Sequence, residues 1–419
     1  MMSRPTRQGP LSPPPSPLLL SSPALGQPLP QLGFHVGIET ELFLERRIPR
    51  SLTKDKAPET LPDFSIDLRD RYMQALRSKA GYPGLRSEFV EEQIEADPLF
   101  SKWCVINEIS LTKREQEPWG LEIVSPKLPV SPSSHWREHV NALWAFLDQN
   151  YSITGDDTCG THIHISVDGD YDLSMMKAIA SAVIYFEPAI EALLPETRRG
   201  NHHTMSNWID NPSLGHLGMS RAAAIQRIKS CKTHEEVIYI VSPGKPYGWN
   251  FKAWSRLKTI EFRRGAPSQS ADDVFMWADF VMAFVKAALS KPLDYNRGGG
   301  VPYAPTIGGL FDFFADVAIP DGQFGGEVYG NSQSITRMFG GRQFLAPDFW
   351  LEPIPYAGEG LAELFEQEMH MNMWNAIDAD DEAMPERILR ARQMAEAKGA
   401  RMMMLKEVEA MPRSRVARL

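Results

Sequence analysis

Phe34-His35-Val36-Gly37-Ile38-Glu39-Thr40-Glu41-Leu42-Phe43-Leu44 alternates in polarity over much of its length. Phe34, Val36 and Ile38 fall on one side, Glu39 and Glu41 on the other. That period of two predicts a half-buried strand. Two carboxylates at i and i+2 then share one face within reach of each other. Like charges so close repel unless a cation lies between them, and a hard divalent ion with oxygen ligands meets that need. Taken by itself, the pair fits a solvated face of an edge strand equally well.

Further along the chain, Thr161–Val167 alternates in the same way between Gly160 and Gly169, and places His162 and His164 on one face opposite Ile163 and Ile165. Neutral imidazoles ligate divalent metals, and charged ones bind phosphate. Gly160 lets the backbone approach a ligand closely. Residues 103–124 read as two strands around a turn, with Glu108 and Glu122 as acids on otherwise apolar strands. Such a charge in a sheet interior needs a metal or a basic partner. In Thr259-Ile260-Glu261-Phe262-Arg263, Glu261 and Arg263 share a face, with Ile260 and Phe262 toward the core. A carboxylate for metal beside a guanidinium for phosphate suits a nucleotide site, and a cross-strand ion pair explains the two residues as well.

Helical periodicity marks residues 67–80, 135–150, 173–194, 221–230 and 271–290, a segment near 310–317, and a Met-rich basic stretch at 383–410. Strands interrupted by helices without regular βαβ spacing predict an α+β fold. Residues 32–380 read as one domain, between a Pro/Ser-rich disordered tail (1–31) and a basic C-terminal helix and tail (381–419).

Charge bounds the partners. The 419 residues carry a formal net charge of -9; residues 1–38 hold two Arg and no acid, and residues 386–419 hold nine Lys/Arg against four Glu, which leaves -16 for the body. An acidic body argues against nucleic acid and anionic membranes. No run of 18 consecutive apolar residues occurs, so no membrane-spanning helix is expected. Three cysteines without metal-ligand spacing point to a reducing compartment, and the cytoplasm is the expected location.

Five segments in order, Gly-Ile-Glu-Thr-Glu-Leu (37–42), Glu-Ile-Val-Ser-Pro (122–126), Cys-Gly-Thr-His-Ile-His-Ile (159–165), Leu-Pro-Glu-Thr-Arg-Arg-Gly-Asn (194–201) and Thr-Ile-Glu-Phe-Arg (259–263), resemble the amidoligase family. That family belongs to the carboxylate–amine ligase group with glutamine synthetase and glutamate–cysteine ligase. The resemblance implies a curved antiparallel sheet, a glutamine synthetase-like catalytic funnel flanked by helices, that takes ATP and Mg²⁺ or Mn²⁺. It implies one metal site of Glu41, Glu122 and Glu108, and another of Glu39, His162 and Glu261. Arg263 would face the phosphates, Arg198 or Arg199 would bind the acyl phosphate or a substrate carboxylate, and His164 and Asn250 would lie at the nucleotide. The chain departs from the family pattern at Asn107-Glu108-Ile109-Ser110 and at Ala266-Pro267-Ser268.

The resulting expectation is an ATP-dependent ligase that joins a small carboxylic acid to an amine through an acyl phosphate, as a monomer or an oligomer. Three alternatives stand beside it: a metal-dependent hydrolase using Glu39, Glu41, His162 and His164, a binding protein on the same fold that has lost the chemistry, and a kinase on the same fold that phosphorylates a guanidino or carboxyl group without forming an amide. The first lacks any helical HExxH-type motif.

Overall fold

A computed structural model describes residues 33–47, 60–77, 79–90, 101–112, 114–131, 133–195, 198, 204–214, 219–291, 293, 301–314, 317 and 333–340. The tail expected at 1–31, the basic helix expected within 381–419, and Arg199 lie outside them.

The alternating stretch forms a thirteen-residue strand, β1 (Phe34–Arg46). At about 3.4 Å per residue it outruns any single neighbour, and its partners succeed one another along each edge. On one edge lie β4 (Trp119–Val124) and β5 (Leu128–Val130). On the other lie β7 (Thr161–Val167) and β6 (Tyr151–Thr154). Outward from β4 come β3 (Trp103–Ile106) and β2 (Leu85–Ser87); outward from β7 come β9 (Ile260–Gly265) and β8 (Trp249–Asn250). All pairs are antiparallel except β2 with β3. The expected α+β class with a mostly antiparallel sheet holds.

The helices follow from local signals. Thr60 caps α1 (Leu61–Ala75), Asp172 caps α3 (Leu173–Leu193), Ser220 caps α4 (Arg221–Ser230), Thr233 caps α5 (His234–Val241) and Ser270 caps α7 (Ala271–Ser290), each side-chain oxygen accepting a first-turn N–H. The apolar positions of residues 135–150 form α2 (Trp136–Asn150). Short helices α6 (Ala253–Leu257), α8 (Ile307–Phe314) and α9 (Gln333–Phe339) complete the described set.

The expectation that no helix could cross a membrane needs correction. By length and composition α3 is long and apolar enough to do so, because an 18-residue window tolerates the occasional charge that a strict run does not. Most of that window is buried within the protein, against α4, α5, α7 and α8.

One face of the sheet meets α7, which packs on β7 and β1. Ile163, Ile165, Ile260 and Phe262 are fully buried there. Phe262 sits among the rings of Trp249, Trp277 and Phe280, and Phe280 and Phe284 continue the cluster to Phe313 and Phe314. The helices therefore claim the apolar face. The opposite face carries the acids and histidines.

Candidate metal and phosphate site

Strand register assembles the site. Directly paired residues share a face, so the pairs Glu41–Glu122, Glu39–His162, His164–Glu261 and Glu261–Asn250 line one surface across β4, β1, β7, β9 and β8. Gly37 stands opposite His164, where a Cβ would lie only 3.2 Å from the His164 Cβ. Without a side chain there, the His164 ring reaches across β1, and its Nε2 lies 3.0 Å from Glu39 Oε1.

His162 is central. Its Nδ1 is 3.3 Å from Glu39 Oε2 and 3.7 Å from Glu261 Oε1, and its Nε2 is 3.8 Å from Glu41 Oε1. Two groups could each hold a cation, Glu39–His162–Glu261 and Glu41–Glu122–His162, with the candidate ligand atoms of each group within 4.8 Å of one another. That spread is what two bonds of about 2.1–2.4 Å to a common ion can span. A neutral imidazole has one lone pair to give. One ion could therefore take the single lone pair of a neutral His162, and the other would rely on oxygen donors.

Two arginines close the site. Arg263 donates from Nη1 to Glu261 Oε1, and Asn250 Nδ2 donates to Glu261 Oε2 at 2.8 Å. Arg198 is 2% exposed; its Nη1 donates to the Cys159 carbonyl at 3.0 Å and its Nη2 to the Arg263 carbonyl at 2.9 Å. A Cβ on Gly160 would lie 2.8 Å from Arg198 Nη2, 3.2 Å from Glu41 Oε2 and 3.2 Å from His162 Nε2. The glycine is what lets these three groups converge.

The electrostatics record a crowded acidic surface. Burial pushes Glu122 well up, and Glu39, Glu41 and Glu108 push it further. Burial also raises Glu41, against the pull of His162 and Arg263. For Glu39 burial works upward too, but His164 and His162 overcome it and hold this carboxylate well below the usual range. Glu261 is lowered although burial opposes it, chiefly by Arg263 and then His164. Burial disfavours charge on His164, yet Glu39 and Glu261 bring it up to about 9. Burial brings Arg198 down to about 10, so it stays a cation at neutral pH. The donor set, four carboxylates and an imidazole around a small volume, fits a hard or borderline divalent ion such as Mg²⁺ or Mn²⁺.

Among the expected site residues, Glu39, Glu41, Glu122, His162, His164, Asn250, Glu261, Arg198 and Arg263 come together. Glu108 is placed differently from its expected strand. β3 ends at Ile106, and Glu108 lies in the following turn, where its Oε1 accepts the Ser110 N–H at 2.8 Å. It acts on Glu41 and Glu122 through charge and is in neither cation group. Two participants escaped the sequence reading. Thr259 Oγ1 is 2.9 Å from His164 Nδ1. Arg264 turns to the opposite face, where it pairs with Glu187 and Glu191 of α3. The available signal was Glu187-x-x-x-Glu191 on an otherwise apolar helix, since two buried acids one turn apart require a buried cation.

No curated protein matches the chain. A family model described as "putative amidoligase enzyme" matches residues 33–285, from the start of β1 into α7, and so spans every one of these site residues. With more than half of its length matched, the chain belongs to the amidoligase family.

Proposed function

We propose that the chain is an ATP- and Mg²⁺- or Mn²⁺-dependent carboxylate–amine ligase, working on a curved, glutamine synthetase-like funnel within residues 32–380. The observation that carries this reading is the convergence of Glu39, Glu41, Glu122, Glu261, His162, Arg198 and Arg263 on one sheet face. A hydrolase needs the metal ligands, but it does not need two guanidiniums, the buried Arg198 and the half-buried Arg263, beside them. Phosphoryl transfer needs both.

In this reading a carboxylate oxygen of the acid substrate attacks the γ-phosphorus of ATP. The bond to the β–γ bridging oxygen breaks, and ADP and an acyl phosphate result. The amine then attacks the acyl carbon, loses a proton to solvent and displaces inorganic phosphate. The two acid–histidine groups, Glu39–His162–Glu261 and Glu41–Glu122–His162, would hold divalent cations, which would supply positive charge against the phosphate oxygens. Arg263 faces the transferring phosphoryl group, and Arg198 the acyl phosphate or the acid. His164 and Asn250 border the nucleotide. The free, buried Cys104, Cys159 and Cys231 suit a reducing cytoplasm. The substrates are small molecules, a carboxylic acid and an amine.

The test is ADP release in the presence of Mg²⁺ and a pooled panel of acids and amines, with mass spectrometry for condensation products. Wild type releases ADP and forms an amide; Glu41→Ala and Arg263→Ala lose ADP release. Unchanged metal-dependent turnover in both variants would overturn the assignment.

A further inference from the structure

β9 carries a bulge at the site. Thr161 pairs with Gly265 and Ile163 with Phe262, so Arg263 and Arg264 together stand opposite the single residue His162. Consecutive residues of a strand point to opposite faces: Arg263 lies toward the acids and Arg264 toward Glu187 and Glu191 of α3, while the bulge takes both out of the regular ladder. Arg263 lies over Glu261 among the acids. Arg264, 1% exposed, enters the helical layer: Nη2 donates to Glu187 Oε1 and, at 3.3 Å, to the Met205 carbonyl, and Nη1 lies 3.5 Å from Glu191 Oε2.

The same few residues clamp the backbone of the bulge. Arg263 N–H donates to the Gly248 carbonyl at 2.8 Å, and Gly248 N–H donates at 2.8 Å to the Met205 carbonyl that Arg264 also contacts. The Arg263 carbonyl accepts from Arg198. Gly248 has no side chain where the Arg264 stem runs, and a Cβ there would overlap the Arg264 Nε. A bulged residue has lost its place in the ladder and takes its orientation from whatever else holds it. Here the holder is a paired charge in the core, which is costly to displace because the guanidinium would leave its acids while still buried.

We propose that Arg264, pinned to Glu187 and Glu191 of α3, is a positioning residue that fixes where Arg263 presents its guanidinium on the far side of the sheet. The second readout below rests on the ligase reading; the first does not.

The experiment uses the full chain, ¹⁵N-labelled, with the Arg263 Nε–H resonance assigned by its loss in Arg263→Lys. Two variants disturb Arg264 in different ways. Glu187→Gln removes the nearer of its two charge partners, and Gly248→Ala crowds its stem while leaving every charge in place. Asp279→Asn breaks the buried Arg137–Asp279 pair elsewhere and controls for general loosening. The expected result is a shifted Arg263 resonance in Glu187→Gln and Gly248→Ala, with Mg·ATP affinity lowered about tenfold, and neither effect in Asp279→Asn. An Arg263 resonance at its wild-type position in either folded variant overturns the proposal, as does an equal shift in Asp279→Asn. A wild-type chain that binds no Mg·ATP overturns the ligase reading, and the resonance still decides the role of Arg264.

Discussion

His164 Nδ1 and Thr259 Oγ1 are 2.9 Å apart. With Glu39 and Glu261 raising His164 to about 9, the ring is charged at neutral pH and its Nδ1–H donates to the threonine hydroxyl. The opposite edge, Nε2, then faces Glu39 Oε1. Outer hydrogen bonds of this kind typically matter by about tenfold or more. Thr259→Val should lower ADP release by about tenfold, and Thr259→Ser, which keeps the hydroxyl, should retain most of it. Equal activity of the valine and serine variants would show that the hydroxyl does not orient the ring.

Divalent cations should stabilise the fold. A ligand at a hundred times its Kd adds about 2.7 kcal/mol, and for a domain of this size that corresponds to a rise in Tm of roughly 4–5 °C. Scanning calorimetry with Mg²⁺ or Mn²⁺ should show the rise, chelator should reverse it, and Glu41→Ala combined with Glu122→Ala should shrink it. A Tm that ignores both metals would remove the case for cation sites on this face.

Gly160→Ala places a methyl among Arg198, Glu41 and His162. The backbone there needs no positive φ, so the variant should fold. It should nevertheless bind Mn²⁺ about tenfold more weakly by titration calorimetry. Unaltered Mn²⁺ affinity would mean that the three groups need not converge at the glycine.

Phe262→Ala should cost about 3–5 kcal/mol, the usual range for a large ring removed from a closed core. Phe262 is fully buried and in ring contact with Trp249, Trp277 and Phe280. Urea denaturation measures the loss; a cost under 1 kcal/mol would mean that the sheet–helix layer repacks freely.

Acid should weaken the protein through two histidines that belong to neither candidate cation group. Burial holds His35 below its ordinary 6.5, helped by Lys127 and opposed by Asp168. Burial lowers His139 as well, helped by His135 and opposed by Glu138. A histidine depressed in the folded state takes its proton more readily when unfolded. Its contribution is therefore fully present above about pH 6.5 and is lost as pH falls below that. Between about pH 6.5 and 5, urea stability should fall less steeply in His35→Gln/His139→Gln than in wild type. Parallel slopes would assign the acid sensitivity to other groups.

Much of this arrangement is legible in the chain because its strongest periodicities are long. β1, β7 and helices α2, α3, α4 and α7 follow directly from them, and once β1 pairs with β7 and β4 the register brings the acids together. The short strands β2, β5, β6 and β8 have two to four residues, too few to show a period, and exist only because a distant strand edge offers them hydrogen bonds. The β9 bulge is invisible locally: alternation through Ile260, Glu261, Phe262 and Arg263 looks uninterrupted, and the extra residue shows only in its pairing. Glu108 was misplaced for a related reason, since nothing in Asn107-Glu108-Ile109 says that β3 stops at Ile106.

β1 has a consequence for how this sequence can diversify. It pairs with four strands at once, and both of its acids owe their face to the same two-residue count. Losing or gaining one residue between Val36 and Glu39 would turn Glu39 and Glu41 toward the helical layer or put Phe34 and Val36 out of step with β5 and β7. Variation in this protein should therefore reach β1 by substitution alone, while changes in length collect in the connecting segments, where new substrate preferences can arise without disturbing the acid–histidine face.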